Sequence, residues 1–351
     1  MRYGFWAPVF GGWLRNVADE GMDASWAYMQ RLCVRAEEIG FDLTLIAELN
    51  LNDIKGEDQP ALDAWSTAAA LAAVTRSLEL MVAVRPNFHH PALFAKQAAN
   101  IDQISGGRLA LNVVSSWWAQ EAQSYGLPFD QHDDRYGRTS EWLEVVDGLW
   151  TRSPFNHQGA RYSLENAYCE PKPVKKPVVY AGGESESAKT MIARQCDAYV
   201  MHGDEPAVIA AKIDDMRRRR EAAGGPPMIF GMAAYAIVRE TEAEARAEVE
   251  RITTLDPSQP GFANFDQWLS GTELEREMKL QEYSVSNRGL RPNLVGTPDQ
   301  VRGRIAEFQA AGLDLLLLQM SPQLEEMERF AEAVIAPARL GQPEPERAPA
   351  A

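Results

Sequence analysis

What this 351-residue sequence lacks is the first guide to its chemistry. Cysteine is scarce: Cys33, Cys169 and Cys196 are the only three, with no Cys-x-x-Cys pair. That argues against a disulfide scaffold and a thiolate zinc site, and it suits a reducing compartment. Positive charge is in deficit, with 35 Lys and Arg against 50 Asp and Glu, for a net charge of −15. A field of that sign repels nucleic acid and anionic lipid, so neither is expected as a partner. No apolar run approaches the length of a membrane span, and the amino-terminal residues run straight into a strand-like segment with no leader pattern. A cytoplasmic protein is therefore expected. The five histidines (His89, His90, His132, His157 and His202) make no His-x-His or His-Glu-x-x-His pair, so no metal is expected. A serine-nucleophile elbow, a P-loop and a dinucleotide-binding glycine fingerprint are also missing.

What the sequence does have is alternation. Strand-like apolar runs at 2–7, 41–46, 78–84, 109–114, 177–181, 197–201, 228–238 and 313–318 are each followed by a helical pattern. The helices are expected at 24–39, 61–75, 91–104, 138–150, 185–195, 205–222, 241–254 and 322–335, with a further one opening at Thr297-Pro298 and ending at Gly312. Strand-then-helix alternation implies a parallel sheet with crossover helices, and eight units in one chain favour closure into a (β/α)8 TIM barrel. The expected layout is one α/β barrel domain over 1–340 with a hairpin insertion near 153–170, a long irregular insertion near 256–295, and a frayed tail at 341–351 rich in Pro, Glu and Ala. In a barrel, chemistry gathers at the carboxyl ends of the strands.

Three such ends stand out. Val178 to Ser185 reads as a strand, a Gly182-Gly183 pair and a helix start. That arrangement lets backbone N–H groups reach a phosphate, and it equally describes a plain tight turn. Glu184 and Glu186 suit a first helical turn but would repel a phosphate unless turned away. Asn112 is a polar residue inside an apolar strand, so it is aimed at a ligand or at neighbouring backbone. Beyond it, Trp117 and Trp118 are placed to wall a flat ligand or to pack a lid. His132 to Tyr136 reads as a helix start with Asp133 and Asp134 at the cap, and there Arg135 and Tyr136 are potential phosphate or ring contacts.

Together these segments resemble the luciferase-like flavin monooxygenases over nearly the whole chain. The most specific stretch runs from Ala95 to Arg108 (Ala-Lys-Gln-Ala-Ala-Asn-Ile-Asp-Gln-Ile-Ser-Gly-Gly-Arg) and on through Asn112-Val113-Val114-Ser115. His132 to Tyr136, Ala181-Gly182-Gly183 and Leu294 to Pro298 follow in the family's order. Within the family the sequence is most similar to the dimethylsulfone monooxygenases, and it is also similar to the pyrimidine and alkanesulfonate monooxygenases. The sulfonate enzymes carry an Arg-x-His pair on the seventh strand, where this chain has Ala233 and Tyr235.

The resemblance implies FMN, bound as FMNH2, with O2 as co-substrate. It implies that Asn112 meets the flavin ring, Glu121 lies near the ring or ribityl chain, and Arg135 and Tyr136 contact the ribityl-phosphate end. Gly183, Glu184 and Ser185 would cradle the phosphate, although relatives often have serine where Glu184 stands. It also implies a separate NAD(P)H:flavin reductase and a homo-oligomer, dimeric or tetrameric. The substrate would be a small molecule, and a sulfone would lose a C–S bond to give a sulfinate and an aldehyde. Trp117, His202, Tyr235 and Arg291 join Asn112 as candidate catalytic residues, each with packing or solvation as the competing role. Arg288 and Arg291 are placed to close over the site from the 256–295 insertion. The alternatives are nitrogen-heterocycle opening, alkanesulfonate oxidation, or a deazaflavin-dependent reaction on the same barrel.

Overall fold

Short apolar segments of this sequence pair as parallel strands because each is followed by a helix that carries the chain back to the start of the next. The computed structural model describes residues 1–256, 258–271 and 278–340; the expected tail at 341–351 lies outside them. The strands are β1 (Arg2–Ala7), β2 (Leu43–Ile46), β3 (Glu79–Val84), β4 (Leu109–Val113), β5 (Phe155–Gln158), β6 (Ser163–Ala167), β7 (Val178–Ala181), β8 (Ala198–Met201), β9 (Ile229–Val238), β10 (Leu294–Gly296) and β11 (Leu315–Gln319). Strands β1, β2, β3, β4, β7, β8, β9 and β11 pair in that order, and β11 pairs back onto β1. The result is a closed parallel barrel of eight strands with helices between them. Strands β5 and β6 form an antiparallel hairpin in the stretch from 153 to 170.

Side-chain alternation decides what lies inside. Leu43, Leu45, Met81, Ala110, Tyr180, Ala198, Leu315 and Leu317 fill the barrel interior, while Phe5, Ile46, Val82, Leu111, Val113 and Val179 pack outward against the helices. Carried one more step toward the carboxyl ends, the same phase brings Trp6, Ala47, Ala83, Asn112, Gly182, His202, Ala233 and Gln319 to the mouth of the barrel.

The stretch that carries the family resemblance most strongly is largely structural. Helix Pro91–Ser105 ends on Gly106 in the left-handed conformation, with φ 69°. Arg108 then turns back under helix Ala64–Val74. Its guanidinium donates to the carbonyls of Ser105 (2.7 Å), Leu78 (2.6 Å), Ala72 (3.0 Å) and Thr75 (3.0 Å) and to Thr75 Oγ1 (2.9 Å). It thereby satisfies helix-end carbonyls that would otherwise lack donors. Asp102, fully buried, accepts from the N–H groups of Leu109 and Lys175 and pins the start of β4.

Three expected boundaries move. The helix expected at 138–150 runs from His132 to Thr151, with Gln131 at the N-cap and no side-chain cap bond. Positions 133 and 134 therefore fall inside the first turn instead of at the cap. The 256–295 insertion is built of short helices (Phe265–Gly271, Leu280–Tyr283), two 3-10 turns and β10, which extends the sheet beside residues 236–238. The last helix, Gln323–Phe330, continues through a π-helical turn at Ala331–Ile335. At 297–298 the expectation holds: Thr297 is the N-cap, Pro298 opens the helix, and Gln300 reaches back to the Thr297 N–H at 2.9 Å. Among the described residues no helix is long and apolar enough to cross a membrane, and no group of three or more His, Cys, Asp or Glu is placed to hold a metal.

Candidate active site

The carboxyl ends of the strands enclose a cavity of about 300 Å³. Trp268, Met278, Tyr283 and Ser286 of the insertion close it from above. Of the residues expected from sequence, Asn112, Trp117, Arg135, Tyr136, Gly183, Glu184, Ser185 and His202 all line it. Glu121, Tyr235 and Arg291 do not.

One end is formed by a glycine turn and a helix start. The β7 strand runs into Gly182 and Gly183 before Ser185 caps helix Glu186–Gln195 by accepting from the Ala188 N–H at 3.2 Å. A Cβ on Gly182 would come within 2.7 Å of the Val200 carbonyl oxygen. Gly183, at φ +157°, would place one 2.6 Å from Ala188 Cβ and 3.2 Å from the Tyr136 hydroxyl. Both glycines are required by close approach, which leaves the backbone of this turn open to a ligand. The Glu184 side chain is drawn aside by Lys212 Nζ at 2.5 Å and Arg288 Nη2 at 2.8 Å. Arg288 is itself 1 % exposed, yet its Nε and Nη1 have no partner among the described residues. Arg288 does not itself line the cavity; it lies behind Glu184, whose carboxylate balances its charge. Arg135 completes this side: it donates to the Ser116 carbonyl, and its guanidinium lies 4.9 Å from the Phe129 ring centre.

His202 shares that environment. Burial first, and the Arg288 cation second, push its imidazole down to about 4. Burial would raise the Glu184 carboxyl, but His202, Arg288 and Lys212 offset it and hold the group at about 2. The histidine is therefore neutral at physiological pH. A depressed histidine pKa means that the unfolded chain binds more protons between the unfolded value of about 6.5 and the folded value. Stability should accordingly fall as pH drops through 6.5 toward 4, by on the order of 2 kcal/mol after allowance for cavity water. Thermal denaturation of the wild type and His202→Gln across this range tests it. The variant should lose this part of the slope, and an unchanged slope would remove His202 from the account.

The other end is apolar and electrically balanced. Trp117 stacks on buried Trp118, with ring centres 5.4 Å apart and planes within 3°, and presents a flat wall to the cavity. Asn112 makes no side-chain hydrogen bond among the described residues and faces the same space. Arg85 also lines the cavity, but its guanidinium is clamped by Glu121, with Nη2 to Oε1 at 3.1 Å and a second, shorter contact from Nη1. Glu48 accepts from the Arg85 backbone N–H at 2.7 Å and pairs with His89 at 2.5 Å. Arg15 is paired with Asp53 at 2.5 Å, both nearly fully buried, and lies 3.9 Å from the Tyr283 ring centre. Asn264 donates to Asp53 at 3.0 Å. The first loop, the segment after β2 and the roof are thus joined through one buried ion pair.

Three expectations need correction. Glu121 is fully buried behind Arg85, and its carboxylate is occupied by that guanidinium and by the Asn50 N–H at 2.6 Å. It positions a cavity residue and does not reach the cavity itself. Tyr235 has the phase to face inward, but the roof lies on it: its N–H donates to the Gly289 carbonyl at 2.8 Å, and a Cβ on Gly289 would come within 2.9 Å of Tyr235 Cβ. Burial drives its phenol well above 10, with Glu20, Glu248 and Glu326 nearby. Arg291 is taken up by Glu282 at 2.5 Å and by Asp204 at 3.7 Å. The segments Trp6 to Trp13 and Leu49 to Gln59, expected to line the substrate side, contribute Trp6, Trp13 and Asp53, whereas sequence reading missed Arg85, Glu48, Arg15 and Gln319 as lining residues. The alternation phase of β3 and β11 would have pointed to Arg85 and Gln319. Nothing local marks the others.

Comparison with known proteins agrees with this geometry. The family model described as luciferase-like monooxygenase matches residues 1–315. An FMNH(2)-dependent dimethylsulfone monooxygenase of Pseudomonas putida is 33% identical over 345 residues, covering 95% of this chain and 94% of that protein. Its counterpart in Pseudomonas fluorescens (strain Pf0-1) is 32% identical over 345 residues, covering 95% and 93%. The crystal structure of DmoA from Hyphomicrobium sulfonivorans superposes with a TM-score of 0.81 at 18% identity, covering 99% of this chain and 89% of that one, a likeness of fold. Matched by the family model over most of its length and built as a closed eight-stranded parallel barrel, this chain belongs to the luciferase-like monooxygenase family.

Proposed function

We propose that the protein is an FMNH2- and O2-dependent monooxygenase that oxidises a small uncharged organosulfur compound, dimethylsulfone, with cleavage of a C–S bond. The observation that carries the choice of substrate is the charge balance of the cavity. At the apolar end each lining arginine is already matched by a buried carboxylate, Arg85 by Glu121 and Arg15 by Asp53. An anionic sulfonate would find no free cation there, and the position of the sulfonate enzymes' arginine is Ala233, whose methyl lines the wall. The two curated relatives carry the same substrate and cofactor in their names.

The residues present fit FMN. Gly183, Glu184 and Ser185 line the cavity where helix Glu186–Gln195 begins, a place where backbone N–H groups can meet a phosphate. The backbone at Gly183 and Glu184 with Ser185 would hold the phosphate, Arg135 and Tyr136 the ribityl-phosphate end, and Asn112 the ring, against the wall of Trp117. Bound there as FMNH2, the flavin supplies two electrons and activates dioxygen. The chain's own part is to orient the ring, exclude water under the roof, and offer neutral His202 as a hydrogen-bonding group. The overall reaction balances as dimethylsulfone, O2 and FMNH2 giving methanesulfinic acid, formaldehyde, water and FMN. Oxygenation of one methyl carbon gives an α-hydroxy sulfone, which collapses by losing the hydroxyl proton and expelling the sulfinate. The reduced flavin would come from a separate NAD(P)H:flavin reductase, a reading supported by the FMNH2 dependence in the relatives' names and in agreement with the missing dinucleotide fingerprint. The same reading includes a cytoplasmic homo-oligomer, supported by three buried unpaired cysteines and by Leu93 and Ile104, exposed on one face of helix Pro91–Ser105.

Anaerobic titration tests the cofactor. FMNH2 should saturate the site at one per chain, and a reduced deazaflavin should not compete. Binding of the deazaflavin in preference to FMNH2 would reverse the assignment.

A further inference from the structure

Two side chains at the mouth of the barrel have no partners where partners are expected. Phe5 of β1 is registered with Leu318 of β11, so Trp6 and Gln319 are the next residues on adjacent paired strands. Both line the cavity. Gln319 is 1 % exposed, and among the described residues neither its amide nitrogen nor its amide oxygen has a hydrogen-bond partner. The indole Nε1 of Trp6 is likewise buried and unpartnered. The Trp6 ring packs edge-on against Trp13 (6.1 Å, 77°), whose own Nε1 is anchored on Gln323 at 2.8 Å. A buried donor that gives up water for nothing is retained where a ligand completes it.

We propose that Trp6 and Gln319 form a two-donor grip for the sulfonyl group, the indole Nε1–H donating to one oxygen and the Gln319 Nε2–H to the other. The grip rests on the reading of the substrate as a sulfone. A sulfone offers two acceptor oxygens on one atom, no donor and no charge, which matches two neutral donors on neighbouring strands. The methyl groups then lie toward the small side chains of Ala47 and Ala233, which also line the cavity. The remaining Gln319 carbonyl oxygen faces methyl C–H groups polarised by the sulfonyl. The grip also ranks substrates. A sulfoxide satisfies one donor and a sulfide none, and a site built to hydrogen-bond a group discriminates strongly against analogues that lack it.

The test uses the full-length protein with FMN and a flavin reductase, and the variants Gln319→Leu and Trp6→Phe. Each should raise KM for dimethylsulfone about tenfold, the value of one hydrogen bond in binding, while the Kd for oxidised FMN stays within threefold. Gln319→Leu should keep or raise the Tm, since no hydrogen bond is lost, which a structural role for the amide would not allow. Dimethyl sulfoxide should have a higher KM than the sulfone in the wild type, and the gap should shrink in either variant. If the wild type converts dimethylsulfone and both variants keep KM within twofold, the grip is wrong and the functional reading stands. If the wild type ignores dimethylsulfone while oxidising another small molecule, the functional reading falls and takes the grip with it.

Discussion

Replacing Gly183 by valine is expected to lower FMN affinity by two orders of magnitude or more. A Cβ at this position would lie 2.6 Å from Ala188 Cβ and 3.2 Å from the Tyr136 hydroxyl. The turn can admit it only by moving away from the helix start or by displacing Tyr136. Either movement withdraws backbone donors from the phosphate, and each charge-assisted hydrogen bond is worth about 1.5–3 kcal/mol. Losing two amounts to about 3–6 kcal/mol, or roughly two to four orders of magnitude in Kd. The strain is local to a loop on the cavity side, so the barrel should still fold. Quenching of FMN fluorescence on titration gives the Kd, and circular dichroism checks the fold. Asn112→Ala in the same assay should weaken binding less, because it removes one neutral contact. A Gly183→Val protein that binds FMN within threefold of the wild type would place the phosphate elsewhere.

Glu121→Ala should lower stability by about 3–5 kcal/mol, because it leaves the Arg85 guanidinium buried without its main counter-charge. Arg85 would keep only the 3.5 Å contact from Nε to Glu48. For a chain of this length that loss corresponds to a fall in Tm of roughly 5–10 °C. The freed cation faces the cavity, so methanesulfonate should begin to inhibit where it does not inhibit the wild type. A direct flavin contact at Glu121 makes the opposite prediction, a loss of FMN affinity with little change in Tm. Thermal unfolding beside an FMN titration separates the two.

The sequence was most legible where a periodicity or a short-range rule decides the structure. Alternation of apolar strands with helical patterns located all eight barrel strands, and the Gly182-Gly183 turn, Ser185 and Asn112 could be placed at strand ends from local pattern alone. Legibility failed where long-range partners decide. Glu121 looks like a site acid until Arg85, 36 residues earlier, is folded against it. Tyr235 has the right phase on β9 and is then covered by residues near Gly289. Arg291 sits in the expected insertion but meets Glu282 and Asp204. The most family-specific stretch, Ala95 to Arg108, was legible as a helix and turn, but not the anchoring of that helix terminus by Arg108 and Asp102. Conversely, Trp6 and Gln319 carry no local motif. Strand phase brings them to the cavity, and their unpaired polar atoms then single them out.

The central claim is that this cavity couples flavin oxidation to sulfone cleavage, and a single-turnover experiment tests it most directly. Protein loaded anaerobically with one equivalent of FMNH2 is mixed with oxygenated buffer containing dimethylsulfone, methanesulfonate or uracil, and the products are identified by mass spectrometry. The account predicts close to one methanesulfinate and one formaldehyde per flavin with dimethylsulfone, and hydrogen peroxide alone with the other two. Peroxide with all three, or an oxygenated product from methanesulfonate or uracil in place of the sulfone, would contradict it.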